Sequence, residues 1–395
     1  VLFYVASLYI FAKIILCNQD GLYKHYWYYL GLSVGLGLCA KYMMVFVYLA
    51  IFLYLLFDKK SRKILLSKEP YLAFILSLIV FMPVIYWNYQ HDWASFIFQF
   101  YSRHHSNYSQ THHFGLNSIK WLNFLGFVGA QVIFISPVFF VLFIRMIATY
   151  KLRNTDYNSK NLLLFLFAVP ALLIFTILAL FFDTKPNWAI IAYPSLILLF
   201  VNNPKYEQQQ KYNKIGIISS LVMIVIIILQ VYCFIIQVKP LKNDTTNDLY
   251  GWDQVAFELK NIINNTNHIS SNKQTSLDAK MPNDYFIFSY NYQLTSQLFY
   301  ALNISGDIKY PVYSITNHIE QYHYIQNINN LFNKTGFFVM TDFYHIEPKN
   351  WYLCNKLQLI KTLDITRPTL FNKKLIVRHA YIYRCDKFAG LKPAK

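Results

Sequence analysis

The chain has 395 residues, with 36 Lys+Arg against 19 Asp+Glu and a net charge of +17. Hydrophobic residues make up 55% and charged residues only 14%, against roughly 25% charged in a soluble domain. This argues against a wholly soluble protein, and against a disordered one, which needs low hydrophobicity. In so apolar a chain the excess cations read as loops beside a membrane, so membrane lipids are expected partners and nucleic acid is not. The mean hydropathy of +0.28 is modest for a chain held entirely in lipid, so part of it should face water.

Eight apolar segments are predicted to be membrane-embedded: Val1–Cys17, Tyr26–Ala40, Tyr42–Phe57, Tyr71–Tyr89, Leu122–Met146, Leu162–Phe182, Trp188–Val201 and Ile215–Val238. Val1–Cys17 is apolar from its first residue and has no basic stretch before it, so it does not read as a signal peptide. Several segments fall short of the ~20 residues that cross a bilayer upright. Tyr26–Phe57 is too long for one crossing. At about 1.5 Å per residue it would run about 48 Å, against a hydrocarbon core of about 30 Å. A hairpin around Lys41 resolves this.

Loop cations orient the segments. Lys59, Lys60, Arg62, Lys63 and Lys68 follow the third, Lys151, Arg153 and Lys160 the fifth, and Lys205, Lys211 and Lys214 the seventh. By alternation these loops share one side, read as cytoplasmic. The other side receives Lys41, the Trp87–Trp93 stretch, Arg103, Asp183–Asn187 and everything after Val238. The predicted architecture is a polytopic α-helical membrane domain (residues 1–238) followed by an extracytoplasmic α/β domain (residues 239–395).

In that second domain Trp252–Asn264 has helical spacing, with Val255, Leu259 and Ile262 on one face. Tyr285–Ser289 is a short buried strand and Tyr292–Leu302 a helix. Phe337–Thr341 and Leu375–Tyr383 read as strands. The Asn-rich stretch from Asn261 to Asn272 reads as loop. Cys354 and Cys385 are either a disulfide, if the domain lies in an oxidising compartment, or two free buried thiols.

The outer end of the membrane domain collects unusual polar residues. Lys41 interrupts an apolar hairpin. Trp87-Asn88-Tyr89-Gln90-His91-Asp92-Trp93 follows Pro83, and Lys185-Pro186-Asn187-Trp188 opens the seventh segment. Each has a plain alternative, since a terminal Lys snorkels and Trp and Tyr favour the interface. As a group, cations at a face that usually disfavours them could converge on a lipid phosphate. His104, His105, His112 and His113 match no structural zinc spacing and read as a solvated loop, so no metal site is assigned. No cofactor is predicted; a divalent metal stays open.

Three runs carry a resemblance: Gly35-Leu36-Gly37-Leu38-Cys39-Ala40-Lys41-Tyr42, Pro83 through Phe96, and Lys185-Pro186-Asn187-Trp188. With Gly251-Trp252, Tyr290-Asn291-Tyr292, Gln321-Tyr322 and Ile382-Tyr383-Arg384, the chain resembles bacterial membrane glycosyltransferases of family 39. These are relatives of dolichyl-phosphate-mannose protein mannosyltransferases and of lipid A aminoarabinose transferases. The resemblance implies a multi-pass protein of the bacterial inner membrane with a polyprenyl-phosphate sugar as donor. An acceptor attacks the anomeric carbon and the lipid phosphate leaves, which calls for a base and for cations. By the same resemblance Lys41 and Lys185, with Arg103 as a weaker third, hold the donor phosphate. Trp87, Asn88, His91, Trp93, Asn187 and Trp188 would order the site.

One departure concerns the catalytic acid. The resemblance places it in an acidic-aromatic motif in the loop after the first membrane helix, and no such loop precedes Val1–Cys17. The expectation is therefore that the chain as given is inactive alone, unless Asp92 or Asp183 serves as base. The competing reading is a transporter or flippase for a lipid-linked substrate, which should show internal repeats and broken helices. No repeat is visible.

Overall fold

The computed structural model describes residues 1–16, 23–99, 119–149, 159–202, 209–237, 239–241, 244–248, 250–270, 285–304, 309–317, 320–342 and 346–392. The chain divides into two compact units, Val1–Ile224 and Val225–Lys395.

The first unit is helical. Its elements are α1 (Leu2–Leu16), α2 (Tyr23–Ala40), α3 (Val45–Phe57), α4 (Glu69–Gln90), the short α5 (Ala94–Ile97), α6 (Trp121–Ile135), α7 (Pro137–Thr149), α8 (Ser159–Phe181), α9 (Tyr193–Val201) and the first part of α10 (Gln210–Cys233), whose remainder from Val225 belongs to the second unit. Phe11 of α1 ties four helices together: its ring meets Trp27 of α2, Tyr54 of α3 and Phe167 of α8. The Tyr4 hydroxyl donates to the Phe167 carbonyl at 2.5 Å. Helix α2 lies against α4 at backbone distance. A Cβ on Gly31 would sit 2.5 Å from the Ala73 carbonyl oxygen, and one on Gly35 2.6 Å from Val80 Cβ. Small residues at such a crossing let two helices approach closely.

The hairpin predicted at Lys41 is present. Lys41 adopts an extended conformation between α2 and a 3-10 turn, Tyr42–Met44, that leads into α3. By length and apolarity α4, α8 and α10 can each cross a membrane, with 22, 23 and 24 residues. The stretches Leu2–Leu16, Tyr42–Phe57 and Pro186–Val201 are shorter apolar helices. The fifth predicted segment, Leu122–Met146, needs correction. It is not one helix but the pair α6–α7, bent by 107°. Ser136 breaks it, with φ 74 and ψ 150, ahead of Pro137, whose ring disfavours helical backbone in the preceding residue.

The second unit holds a five-stranded sheet in the order β2-β1-β3-β5-β4. β1 (Tyr285–Ser289), β2 (Val312–Ser314) and β3 (Thr335–Thr341) run parallel. β4 (Tyr352–Pro368) and β5 (Lys374–Leu391) form a long antiparallel hairpin, and β5 pairs with β3. α11 (Trp252–Ser270), α12 (Tyr292–Asn303), α13 (Gln321–Ile325) and α14 (Pro348–Trp351) complete the unit. Its core is aromatic: Phe286, Phe288, Phe337, Phe338 and Phe388 are fully buried. Asn291 caps α12 by accepting from Leu294 N.

Two expectations change here. Helix α11 continues to Ser270, so the Asn-rich stretch is helix rather than loop as far as Ser270. Strands β2 and β4 were absent from the sequence reading. β4 is an edge strand with Asn355, Lys356 and Gln358 exposed along it, so it lacks an apolar run. Cys354 and Cys385 lie across the β4–β5 hairpin with Cα atoms 5.4 Å apart and form a disulfide.

Arg367 at the end of β4 is 1% exposed. Its guanidinium donates to the Gln230 and Val231 carbonyls of the last turn of α10 at 2.8 and 2.5 Å. It also donates to Asn247 Oδ1 and Thr246 Oγ1 at 2.6 and 3.0 Å. The rings of Phe234 and Tyr250 lie against it. A cation satisfying the free carbonyls of a helix C-terminus is favourable on both hydrogen-bond and dipole grounds.

Candidate active site at one end of the helical unit

Asn88 organises the first part of the site. It is fully buried, and its Nδ2 donates to the Val84 carbonyl one turn back at 2.9 Å. Its Oδ1 accepts from Ser95 N and Ser95 Oγ, both at 3.0 Å, and from Phe96 N at 3.3 Å. One side chain thereby folds the end of α4 over onto α5. The turn between them uses left-handed backbone at Asp92 and Trp93, with φ 51 and 59, a conformation costly for non-glycine residues unless the surroundings impose it. Trp87 stacks on His91 with centroids 4.2 Å apart, and the His91 ring nitrogen Nδ1 lies 2.7 Å from the Trp87 carbonyl. Trp93 stacks on Phe96. Asp92 is exposed.

The same network reaches Lys41. Tyr42 shares a 2.6 Å hydrogen bond with Ser95 Oγ, and its ring packs on Phe81 and Phe96. Lys41 itself is exposed. The third motif joins through aromatic contacts: Phe46, near the start of α3, meets Phe175 of α8, which meets the buried Trp188. The ends of α2, α4 and α8 and the start of α3 therefore gather at one end of the helical unit, with the three motifs on them.

Lys185 Nζ bonds Asp183 Oδ2 at 2.7 Å, with the two side chains 52% and 70% exposed. An ion pair so exposed is worth about 0–1 kcal/mol, so a stronger anion can displace the carboxylate. Asn187 is exposed on the 3-10 helix Pro186–Ala192. Between Asp183 and Lys185, Thr184 is 5% exposed, and its hydroxyl has no partner among the described residues.

Two residues absent from the sequence reading hold this turn. Gln131 of α6 is buried and donates to the Pro186 carbonyl at 3.1 Å. The Tyr193 hydroxyl donates to Gln131 Oε1. A lone Gln in an apolar helix was the available signal. A buried amide needs partners, and here it finds the backbone of the motif. Arg103 and the four histidines from His104 to His113 lie outside the described residues. No group of three metal-binding side chains occurs among the described residues.

The family model for dolichyl-phosphate-mannose-protein mannosyltransferase matches residues 1–87. The chain is also 26% identical over 172 residues to the lipid A galacturonosyltransferase RgtD of Rhizobium johnstonii, covering 44% of this chain and 34% of that protein. The match thus spans about a third of the length of this curated relative. No solved structure matches the chain. Together with the motifs, the two matches bear out the resemblance to family 39 membrane glycosyltransferases.

Proposed function

We propose that the chain forms part of a membrane glycosyltransferase that moves a sugar from a polyprenyl-phosphate donor to a lipid, glycan or protein acceptor at the outer face of a bacterial inner membrane. The observation that carries this reading is the gathering of the three motifs. Tyr42, Ser95 and Asn88 link the Lys41 turn to the Trp87–Trp93 turn, and Phe175 and Trp188 bring the Lys185 turn to the same helix ends. Two lysines at one end of an apolar bundle suit a phosphate that gains charge as the glycosidic bond breaks, because fixed cations there stabilise the developing anion. Asp183, displaced from Lys185 by the incoming phosphate, and Asp92 on its strained turn are the carboxylates available as base. The disulfide in the second unit fits an oxidising, extracytoplasmic location.

The test is transfer from a labelled polyprenyl-phosphate sugar by the complete enzyme of which this chain forms part, purified into lipid nanodiscs. Lys185→Gln should lower turnover about tenfold or more, a loss of at least ~1.4 kcal/mol of transition-state stabilisation. Unchanged turnover would remove Lys185 from the site. One feature favours a second reading, a transporter or flippase: the broken pair α6–α7 is of the kind that lines translocation paths. Movement of the lipid-linked sugar between leaflets without transfer would decide for it.

A further inference from the structure

The second unit contains a cleft of about 570 Å³ lined by Lys239, Pro240, Leu241, Asp342 and residues Ile376 to His379 of β5. That volume lies within the roughly 300–1,000 Å³ of small-ligand sites. Its walls are mixed. Pro240, Leu241 and Ile376 provide an apolar side, and Ile376 is 46% exposed there.

The polar groups have unequal commitments. His379 Nδ1 lies 2.8 Å from Asp364 Oδ1. An ionised carboxylate only accepts, so Nδ1 carries the proton and Nε2 is left for a ligand. Asp342 Oδ1 accepts from the His379 backbone N–H at 3.1 Å. The buried Arg378 lies within electrostatic reach of Asp342 and offsets its charge. Arg378 is itself fixed by donation to the Tyr250 carbonyl at 2.7 Å and by the Trp252 ring. Lys239 takes part in no hydrogen bond or ion pair among the described residues. The cleft therefore has one uncommitted cation beside an apolar wall.

Its place in the chain restricts the ligand. Lys239 follows the end of α10 closely enough that an extended chain puts it within about 20 Å of Cys233. Arg367 holds the last turn of α10 on the same unit. With α10 spanning the bilayer, Lys239 lies within that distance of the helix end at the membrane surface. We infer that this cleft binds the phosphate headgroup of an anionic membrane lipid, with Lys239 on the phosphate, His379 on a headgroup hydroxyl, and Pro240, Leu241 and Ile376 against the lipid's apolar part. The site lies in a different unit from the lysines of the proposed transfer reaction. It is read by binding rather than by turnover, so it stands or falls separately from that reaction.

The experiment titrates the detergent-solubilised full chain with water-soluble, short-chain phosphatidylglycerol, following affinity by microscale thermophoresis. Saturable binding is expected. Lys239→Gln should weaken it about fivefold, the worth of about 1 kcal/mol for one lysine near a lipid surface. Lys239→Arg should restore it, and Ile376→Glu should weaken it through the apolar wall. Lys349→Gln, which removes the same charge elsewhere on the unit, should bind as the parent does. The inference is overturned if Lys239→Gln binds like the parent, or if Lys349→Gln weakens binding equally, which would mean general attraction to a basic protein. It is also overturned if glucose 1-phosphate or inorganic phosphate binds as tightly as the lipid, which would assign the cleft to a soluble phosphate.

Discussion

Asn88 serves three donors with one oxygen, and that concentration makes it the most sensitive residue of the candidate site. Asn88→Ala would leave Ser95 N, Ser95 Oγ and Phe96 N to find other partners in a partly buried setting. A loss of about 2–4 kcal/mol is expected, since each stranded buried donor costs about 1–3 kcal/mol and some will relax. Thermal unfolding of the solubilised chain should show a lower midpoint; an unchanged midpoint would mean that the α4–α5 turn is held by other contacts. Glu320 offers a test of a different kind. Burial holds its carboxyl above the ordinary range, against the pull of the Ser314 hydroxyl and the Tyr292 N–H. The folded state then binds this proton more tightly than the unfolded chain does. Its stabilising effect is complete below the unfolded carboxylate range and is lost as pH rises through the folded value. Glu320→Gln should flatten that decline, measured as hydrogen exchange in β2 and α12 across pH. Parallel pH profiles for the two proteins would contradict the assignment. Much of the site was legible at this scale, because Lys41, Asn88 and Lys185 are polar residues in places where apolar ones are expected. Gln131 and Tyr193 were not, because their role exists only through a contact between α6 and the turn after α8, far apart in sequence.

Among the elements, the β4–β5 hairpin carries its own clamp. Cys354 and Cys385 close a loop of 31 residues, which in the chain-entropy account is worth about 3–4 kcal/mol, less whatever order the unfolded hairpin keeps. Replacing both cysteines by Ala should lower the denaturant midpoint of the second unit without changing its secondary structure by circular dichroism. An unaltered midpoint would show that the ladder alone suffices. The elements that sequence revealed share a physical trait. β1 and β3 are continuous apolar runs because helices and neighbouring strands bury them, and α12 shows a face of Leu294 and Leu298. β4 alternates between a half-buried face and water at a sheet edge, so its pattern blends into polar loop. The Asn residues at the end of α11 have weak helix propensity, yet the helix continues past them from an amphipathic start anchored by Trp252 and Val255. The break between α6 and α7 was written in Ser136-Pro137, but an apolar run on both sides hides a bend that only backbone sterics at one residue produces.

For the whole molecule, the distribution of loop cations predicts that the Lys59–Lys68 loop is cytoplasmic and the second unit is outside. Cysteine labelling in intact cells tests this on a background lacking Cys17, Cys39 and Cys233. Lys60 is exposed on that loop, whereas its neighbour Ser61 is 8% exposed, so Lys60 is the reporter position. Lys60→Cys should react with an impermeant maleimide only after lysis, and Lys356→Cys on β4 should react without it. The reverse pattern would invert the topology. The polarity of the sequence changes at Val238, which invites cutting there to obtain a water-soluble domain. Arg367 opposes that cut. Severed from Gln230 and Val231, a guanidinium shaped for helix carbonyls would face an empty socket, and the Phe234 ring that covers it would be gone. The second unit of this protein carries the last turn of α10 as one of its own internal parts, and a free-standing version would have to keep that apolar stub or lose its order around β4.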